Sequence, residues 1–427
     1  MRPAIGTATR RPPVSSESAA HAARVGAAVP TSTRSAEADP NAALAAAAGQ
    51  EPLRAVVVGA GGMGRWWARV IHDSPMTELV GVADLVPGMP EESIAQSGVP
   101  DPSAVAVGTD GVDLALEVGA DVLINPTVPV AHHPVTVKAL HAGIPVLGEK
   151  PVTETLPEAL SLMAHSELTG VPFMVSQSRR FFPQVRELRR FVAAHGPTVL
   201  TSAFFSLFTE HEGFRAQQQH PLLRDMGIHA FDTARYITGT DPVAVTALGA
   251  NPSWSVYAGD ATVTCTFEMA GADGTGSLFV YNGSWNARGL PTYWNSEWRI
   301  GAEHGSATWD GTGAPVLATE DEERTRELQA ALEQALATPE PDQIDASIIE
   351  FATALREGRT PLCEVHENIL SFAMVEAAVA SVERDARVVI DELLEEARAE
   401  AIAAELDPDA RAIMQGWGSV REALTAR

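Results

Sequence analysis

Apolar positions along this chain fall into two grammars, and the change from one to the other divides it. From Arg54 short uncharged runs alternate with longer segments of helical spacing. Arg54-Ala55-Val56-Val57-Val58 predicts a buried strand, 65–71 a helix, Leu79-Val80-Gly81-Val82-Ala83 a strand, and Asp121-Val122-Leu123-Ile124 another. A helix over 133–142, a strand at Val146-Leu147, a helix over 156–169 and a strand over 171–175 continue the series. Strand and helix in strict alternation predict a doubly wound parallel sheet over residues 53–175.

Beyond residue 175 strand-like runs follow one another at 199–208, 243–248, 261–269, 277–281, 298–300 and 306–309, interrupted by one strong helix over 225–237. This predicts an α+β domain over 176–390, a mostly antiparallel sheet covered by helices on one face. Helices are expected again at 322–337, 344–357 and 369–386, and the charged, Ala/Glu-rich stretch 391–427 reads as a helical tail. Residues 1–52, rich in Ala, Pro, Ser, Thr and Arg, show no apolar periodicity and are expected to be a disordered extension.

Composition narrows the function. A chain of 427 residues suits two domains with appendages. Its formal charge of −25, with scattered basic residues, lacks the footprint of a nucleic-acid binder. Two cysteines, Cys265 and Cys363, fit neither a disulfide framework nor a metal site, so no metal is expected and a reducing, cytoplasmic location is. No apolar run reaches the ~18 residues of a membrane span. Arg10-Arg11 resembles an export signal, but Pro12-Pro13-Val14-Ser15-Ser16-Glu17 contains no apolar core.

Candidate chemistry begins at Gly59-Ala60-Gly61-Gly62-Met63-Gly64, a Gly-x-Gly-x-x-Gly turn between the first strand and its helix. Gly59 suits the tight turn, Gly61 a close approach of backbone to a pyrophosphate, and Gly64 close helix–strand packing. Asp84 ends the next strand, 84 − 64 = 20 residues on, where a carboxylate takes ribose hydroxyls. An acid there, with no Arg or Lys in Leu85-Val86-Pro87, favours NAD over NADP. Glu149-Lys150-Pro151 closes a later strand and places a lysine within reach of a bound nicotinamide. On a helix, Asp225, His229 and Asp232 would share one face, making His229 a base whose tautomer and charged form two carboxylates support. The alternative is structural: Asp225 capping a helix, His229 in the core, Asp232 paired to Arg235.

Gly-x-Gly-x-x-Gly, Glu-Lys-Pro and Asp-x-x-x-His together resemble the motif set of the glucose-fructose oxidoreductase and inositol dehydrogenase family, written Gfo/Idh/MocA, from about Arg54 to about Asp391. The family's Thr-Pro-Asn-x-x-His is echoed by Thr127 and by His132, which lies 149 − 132 = 17 residues before Glu149. Ala142-Gly143 and Arg180-Phe181-Phe182-Pro183 match further family elements. Val128 and Pro129 depart from its Pro-Asn, and His220-Pro221 stands where glycines are usual.

The resemblance implies Lys150, His229 and Asp225 as catalytic residues and Gly59, Gly61, Gly62, Met63, Gly64, Asp84, Thr127, His132, Glu149 and Lys150 as cofactor contacts. Besides the catalytic three, Arg180, His220, Tyr281, Trp285 and Trp298 are the implied substrate contacts, on the sheet facing the nicotinamide. An alcohol near pKa ~15.7 cannot give its proton freely to an imidazole near ~6.5, so a cationic Lys150 beside the reacting oxygen is needed while hydride leaves. The expected function is NAD-dependent oxidation of a secondary hydroxyl of a sugar or cyclitol, or the reverse, by a homodimer or homotetramer. Alternatives within the resemblance are a transient oxidation that enables elimination at a neighbouring carbon, and a non-catalytic NAD-binding regulator.

Overall fold

The computed structural model describes residues 39–208, 214–271 and 274–425. Its first sheet contains β1 (Leu53–Val58), β2 (Thr77–Ala83), β3 (Ala106–Gly108), β4 (Val122–Asn125), β5 (Val146–Gly148) and β6 (Phe173–Val175), all parallel, in the order β3-β2-β1-β4-β5-β6. Helices lie on both faces, which is why β1, β4 and β5 read as continuous apolar runs rather than alternating ones. The strand order reverses between β1 and β4, and the carboxyl ends of those strands open a crevice there. Three-residue β3 carries too little pattern to be predicted.

The second sheet contains β7 (Pro197–Phe205), β8 (Asp241–Ala250), β9 (Thr262–Ala270), β10 (Gly276–Ser284), β11 (Glu297–Ala302), β12 (Gly305–Trp309), β13 (Val316–Ala318) and β14 (Val388–Val389), in the order β13-β12-β11-β7-β10-β9-β8-β14. Every pairing is antiparallel except β7 with β10. Burial alternates along β9 and β10, so one face is core and the other is not. Trp298, Ser202, Tyr281 and Cys265 stand side by side across β11, β7, β10 and β9 on the covered face. Phe231, on the helix Ile228–Thr238, lies over Phe267, Phe279 and Tyr281 at ring-centroid distances of 4.8, 6.0 and 5.4 Å. That packing fixes the helix against the sheet.

Several expectations change. Residues 1–38 lie outside the described part, Arg10-Arg11 among them, but Pro40–Ala47 is a helix rather than a disordered segment. Asp39 caps it, and Ala43 and Ala47 pack with Met76, Ile349 and Ala352. A helix not anticipated, Pro183–His195, begins on its proline and buries Val185, Leu188, Phe191 and Val192. Cys265 and Cys363 are both free and buried.

The helix Val365–Arg384 runs for 20 residues and is long and apolar enough to cross a membrane, against the expectation from sequence; 83% of its apolar window is buried within the fold, as for a core helix. The two domains are also more entangled than a boundary at residue 175 suggests. Val175 donates its N–H to Cys363 O at 3.0 Å, and Met174 bridges Glu364, so a late segment adds to the edge of the first sheet. The helices Ile390–Ala404 and Pro408–Gly416 pack on the helix Leu156–Thr169 of the first domain.

Candidate active site

The crevice at the ends of β1 and β4 is shaped for a dinucleotide. Gly59 sits at φ +105°, a conformation few side chains adopt, and an added Cβ there would press on Thr127. An added Cβ at Gly64 would lie 1.7 Å from Gly59 O, so the turn and the helix Gly62–Asp73 touch through backbone. Gly61 and Gly62 have open space where Cβ atoms would be, and Met63 beside them is exposed. The first turn of that helix has no side-chain cap, which leaves its N–H groups for an anion. Asp84, at the end of β2, accepts the Ala60 N–H at 2.7 Å and the Val86 N–H at 2.9 Å. A cradle that a Cβ would fill, an uncapped helix start and an acid at the next strand end fit NAD, which Gly59 to Gly64 and Asp84 would hold.

Two clamps position Lys150. Trp67, fully buried on the helix after the glycine turn, donates its indole N–H to Glu149 Oε1 at 2.9 Å, and Glu149 Oε2 accepts the Lys150 N–H at 3.1 Å. Burial raises the Glu149 pKa, and these two donors oppose it. Both ring nitrogens of His132 face carbonyls, Pro151 O at 2.7 Å and Thr127 O at 3.0 Å. Burial, the larger influence, lowers the ring's pKa against those carbonyls. His132 and Glu149 therefore brace the loops under the crevice. Thr127 donates its hydroxyl to Asn125 at 2.6 Å.

Lys150 Nζ donates to Asp225 O at 3.0 Å and to Asp225 Oδ1 at 3.2 Å. The segment carrying Asp225 departs from the expected helix: Leu223–Gly227 is π-helical and only Ile228–Thr238 is α. Arg215, which sequence reasoning missed, holds the other side of the carboxylate, Nε donating to Oδ2 at 2.9 Å. Burial pushes the Asp225 pKa up, but the neighbouring charges and hydrogen bonds of Lys150 and Arg215 outweigh it and leave the group below the usual carboxylate range.

His229 is the largest correction to the expected electrostatics. Burial first, then the charges of Arg179 and Lys150, holds its pKa well below the ordinary value, so the ring is neutral. Its buried Nδ1 has no hydrogen-bond partner. Asp232 does not flank it. That carboxylate turns into the core, where Arg180 donates Nε to Oδ2 at 2.6 Å and Nη2 to Oδ1 at 2.5 Å, while Arg235 pairs instead with Asp241.

Arg180 is thereby corrected from a substrate contact to a core residue: it is fully buried, and its remaining Nη1 donates to Glu367 at 2.7 Å. Its neighbour Arg179 faces the site. Arg179 donates to Trp294 O at 2.9 Å, its charge reaches Asp225, Tyr281 and His229, and burial lowers its pKa to about 10. His220 Nε2 meets Glu383 at 3.3 Å, while its buried Nδ1, 3.7 Å from Asp260, has no hydrogen-bond partner. Trp298 donates its indole N–H to Asn295 O at 2.8 Å. Tyr281 and Trp285 are buried as well, and the Tyr281 hydroxyl and the Trp285 indole N–H likewise have no partner. The Gln177 side-chain amide, two residues past β6 as Lys150 is two past the paired end of β5, is also buried without one. These atoms are enclosed by protein, as Arg180 is, and like it they lie beneath the surface of the crevice rather than on it.

Residues 53–177 match the model of the oxidoreductase family with NAD-binding Rossmann fold, and residues 188–308 match the GFO/IDH/MocA C-terminal domain. An uncharacterized protein from Sinorhizobium fredii is 25% identical over 366 residues, covering 80% of this chain and 96% of that one. Inositol 2-dehydrogenase 4 of Saccharopolyspora erythraea is 26% identical over 353 residues, 79% of this chain and 96% of the relative. The fold is similar to a solved oxidoreductase from Agrobacterium radiobacter in complex with NAD+, L-tartaric acid and magnesium, with TM-score 0.65 and 18% identity over 80% of this chain and 100% of the other. Two family domains in sequence, a glycine cradle and a lysine delivered by Glu-Lys-Pro lead to one conclusion: the chain belongs to the Gfo/Idh/MocA family of oxidoreductases, with an NAD-binding Rossmann domain.

Proposed function

We propose that the protein is an NAD-dependent dehydrogenase that oxidises a secondary hydroxyl of a sugar or cyclitol, or reduces the corresponding ketone. The observation that carries this reading is the pairing of Lys150 on Asp225 beside the neutral His229. Bound NAD would supply the hydride acceptor. Asp225, itself braced by Arg215, keeps the Lys150 ammonium in one place and available to donate toward the substrate oxygen as negative charge builds on it. His229, held neutral, keeps a lone pair on one ring nitrogen with which to accept the hydroxyl proton; protonating it in advance is opposed by burial and two cations. In the reverse direction the same two groups return proton and charge stabilisation to a carbonyl oxygen. Support for the substrate class comes from the names of relatives, inositol 2-dehydrogenase 4 among them.

The expected result with purified protein and NAD is NADH absorbance with at least one member of a panel of inositols, pyranosides and sugar acids. Bound NAD with no response from any of them, with NADP no better, would sink the dehydrogenase reading. Cofactor choice is expected to rest on Asp84, whose charge repels a 2′-phosphate. Asp84→Ala should narrow the NAD preference by roughly 10-fold or more, the equivalent of ~1.4 kcal/mol. Cofactor titrations of both proteins check this, and an unchanged ratio of the two dissociation constants would remove Asp84 from the ribose site.

A further inference from the structure

A second cluster of titratable side chains lies outside the active site, where the C-terminal segment crosses two helices of the first domain. His141 ends the helix Pro129–His141, His165 is on Leu156–Thr169, and Asp407 caps Pro408–Gly416. One potential ligand atom from each of these three lies within 4.8 Å of the others. We propose that His141, His165 and Asp407 form a binding site for a borderline divalent transition-metal ion such as Zn²⁺, clipping the C-terminal helices to the nucleotide-binding domain.

Geometry and tautomer both point there. His141 Nε2 and His165 Nδ1 face each other at 2.9 Å. Two imidazole nitrogens on a tetrahedral Zn²⁺, each bonded at ~2.0–2.1 Å, stand about 3.3 Å apart, so only a few tenths of an ångström of opening are needed. On the far side of His165, Nε2 lies 3.6 Å from Glu405 Oε2. A carboxylate at that position favours the proton on Nε2 and turns the Nδ1 lone pair toward His141, the arrangement in which an outer carboxylate orients a metal-bound histidine. Glu405 is itself held by the Ser161 hydroxyl at 2.5 Å, and Ser161 in turn contacts His133 Nε2 at 2.9 Å. His165 is almost fully buried while His141 is exposed, which gives an ion an entry path. Asp407 Oδ1 accepts the Asp409 and Ala410 N–H groups, so the carboxylate is fixed in place with its second oxygen left for a ligand bond. Three protein ligands leave a fourth position for water. The ligand types, two imidazoles and one carboxylate, suit Zn²⁺ or Co²⁺ better than Mg²⁺ or Ca²⁺.

The test uses the full chain without a histidine tag, stripped with chelator and then titrated with Co²⁺ or Zn²⁺. One Co²⁺ per chain with the visible bands of a four-coordinate site is expected, together with a saturable rise in Tm on Zn²⁺ addition. His141→Gln, at an exposed position that leaves the fold intact, should abolish both. Glu405→Gln should weaken Zn²⁺ affinity by roughly 10–100-fold, the effect of losing an outer carboxylate. Absence of 1:1 binding at millimolar metal, or binding of equal strength in His141→Gln, overturns the proposal and leaves these residues as a hydrogen-bonded latch only.

Discussion

Replacing Lys150 with Ala is expected to lower kcat by roughly 10² to 10⁴-fold while leaving the dissociation constant for NAD within about twofold of wild type. The split follows from where Lys150 is held. Its ammonium lies on Asp225, in the second domain, whereas the cofactor cradle is made by the glycine turn and Asp84 of the first. Removing the amine strips charge from the reacting oxygen without touching the turn. Arg215 still pairs with Asp225 after the change, so no buried carboxylate is abandoned and Tm should move little. Stopped-flow turnover, a fluorescence titration of NADH and a melting curve read the three quantities separately. Equal losses of turnover and cofactor affinity would make Lys150 a structural residue.

Arg180→Ala is expected to destabilise the protein by about 3–5 kcal/mol, the size of effect seen when one partner of a buried ion pair is removed. Arg180 satisfies Asp232 through two hydrogen bonds and Glu367 through a third, all inside the core. Without it, two carboxylates on the helices Ile228–Thr238 and Val365–Arg384 lose their main counter-charge. Arg180→Lys should recover only part of the loss, since a single ammonium cannot make the two-pronged contact. Denaturant unfolding measures the change. A variant of unaltered stability with only a raised KM would return Arg180 to the substrate site. Arg179→Ala is the natural control, because that side chain faces the electrostatic centre of the site rather than Asp232.

The pair Arg179 and Arg180 shows where sequence stops being informative. Local features were legible: β1, the glycine turn, Asp84 and Glu-Lys-Pro are set by spacing within a few residues, and each stands where its pattern put it at the end of a strand. Partners across long separations were not. Asp232 meets Arg180 from 52 residues away and Lys150 meets Asp225 from 75, and only the packing of helix on sheet decides which of two adjacent arginines turns inward. Helical periodicity placed Asp225, His229 and Asp232 on one face, but a π-helical turn over Leu223–Gly227 changes their relative directions, and its i→i+5 bonding leaves no signature in residue type. The helix Pro183–His195 did carry a signal, a proline at its first position and apolar residues at 185, 188, 191 and 192. The two-residue strand β14 carried none, being defined entirely by its neighbour β8.

The bridge from Met174 and Val175 to residues 363 and 364, with the late helices seated on Leu156–Thr169, has a consequence for how the chain is made. A ribosome delivers residues in order, and the sixth strand of the nucleotide-binding sheet emerges long before the segments that complete its edge and cover its helix. From Val175 to Gly416 is 416 − 175 = 241 residues, which at about 5–20 residues per second takes roughly 12 to 48 s. Over that interval the nascent first domain carries an unfinished edge and an uncovered apolar helix face, so its final folding belongs to the end of synthesis rather than to the moment its own strands are complete.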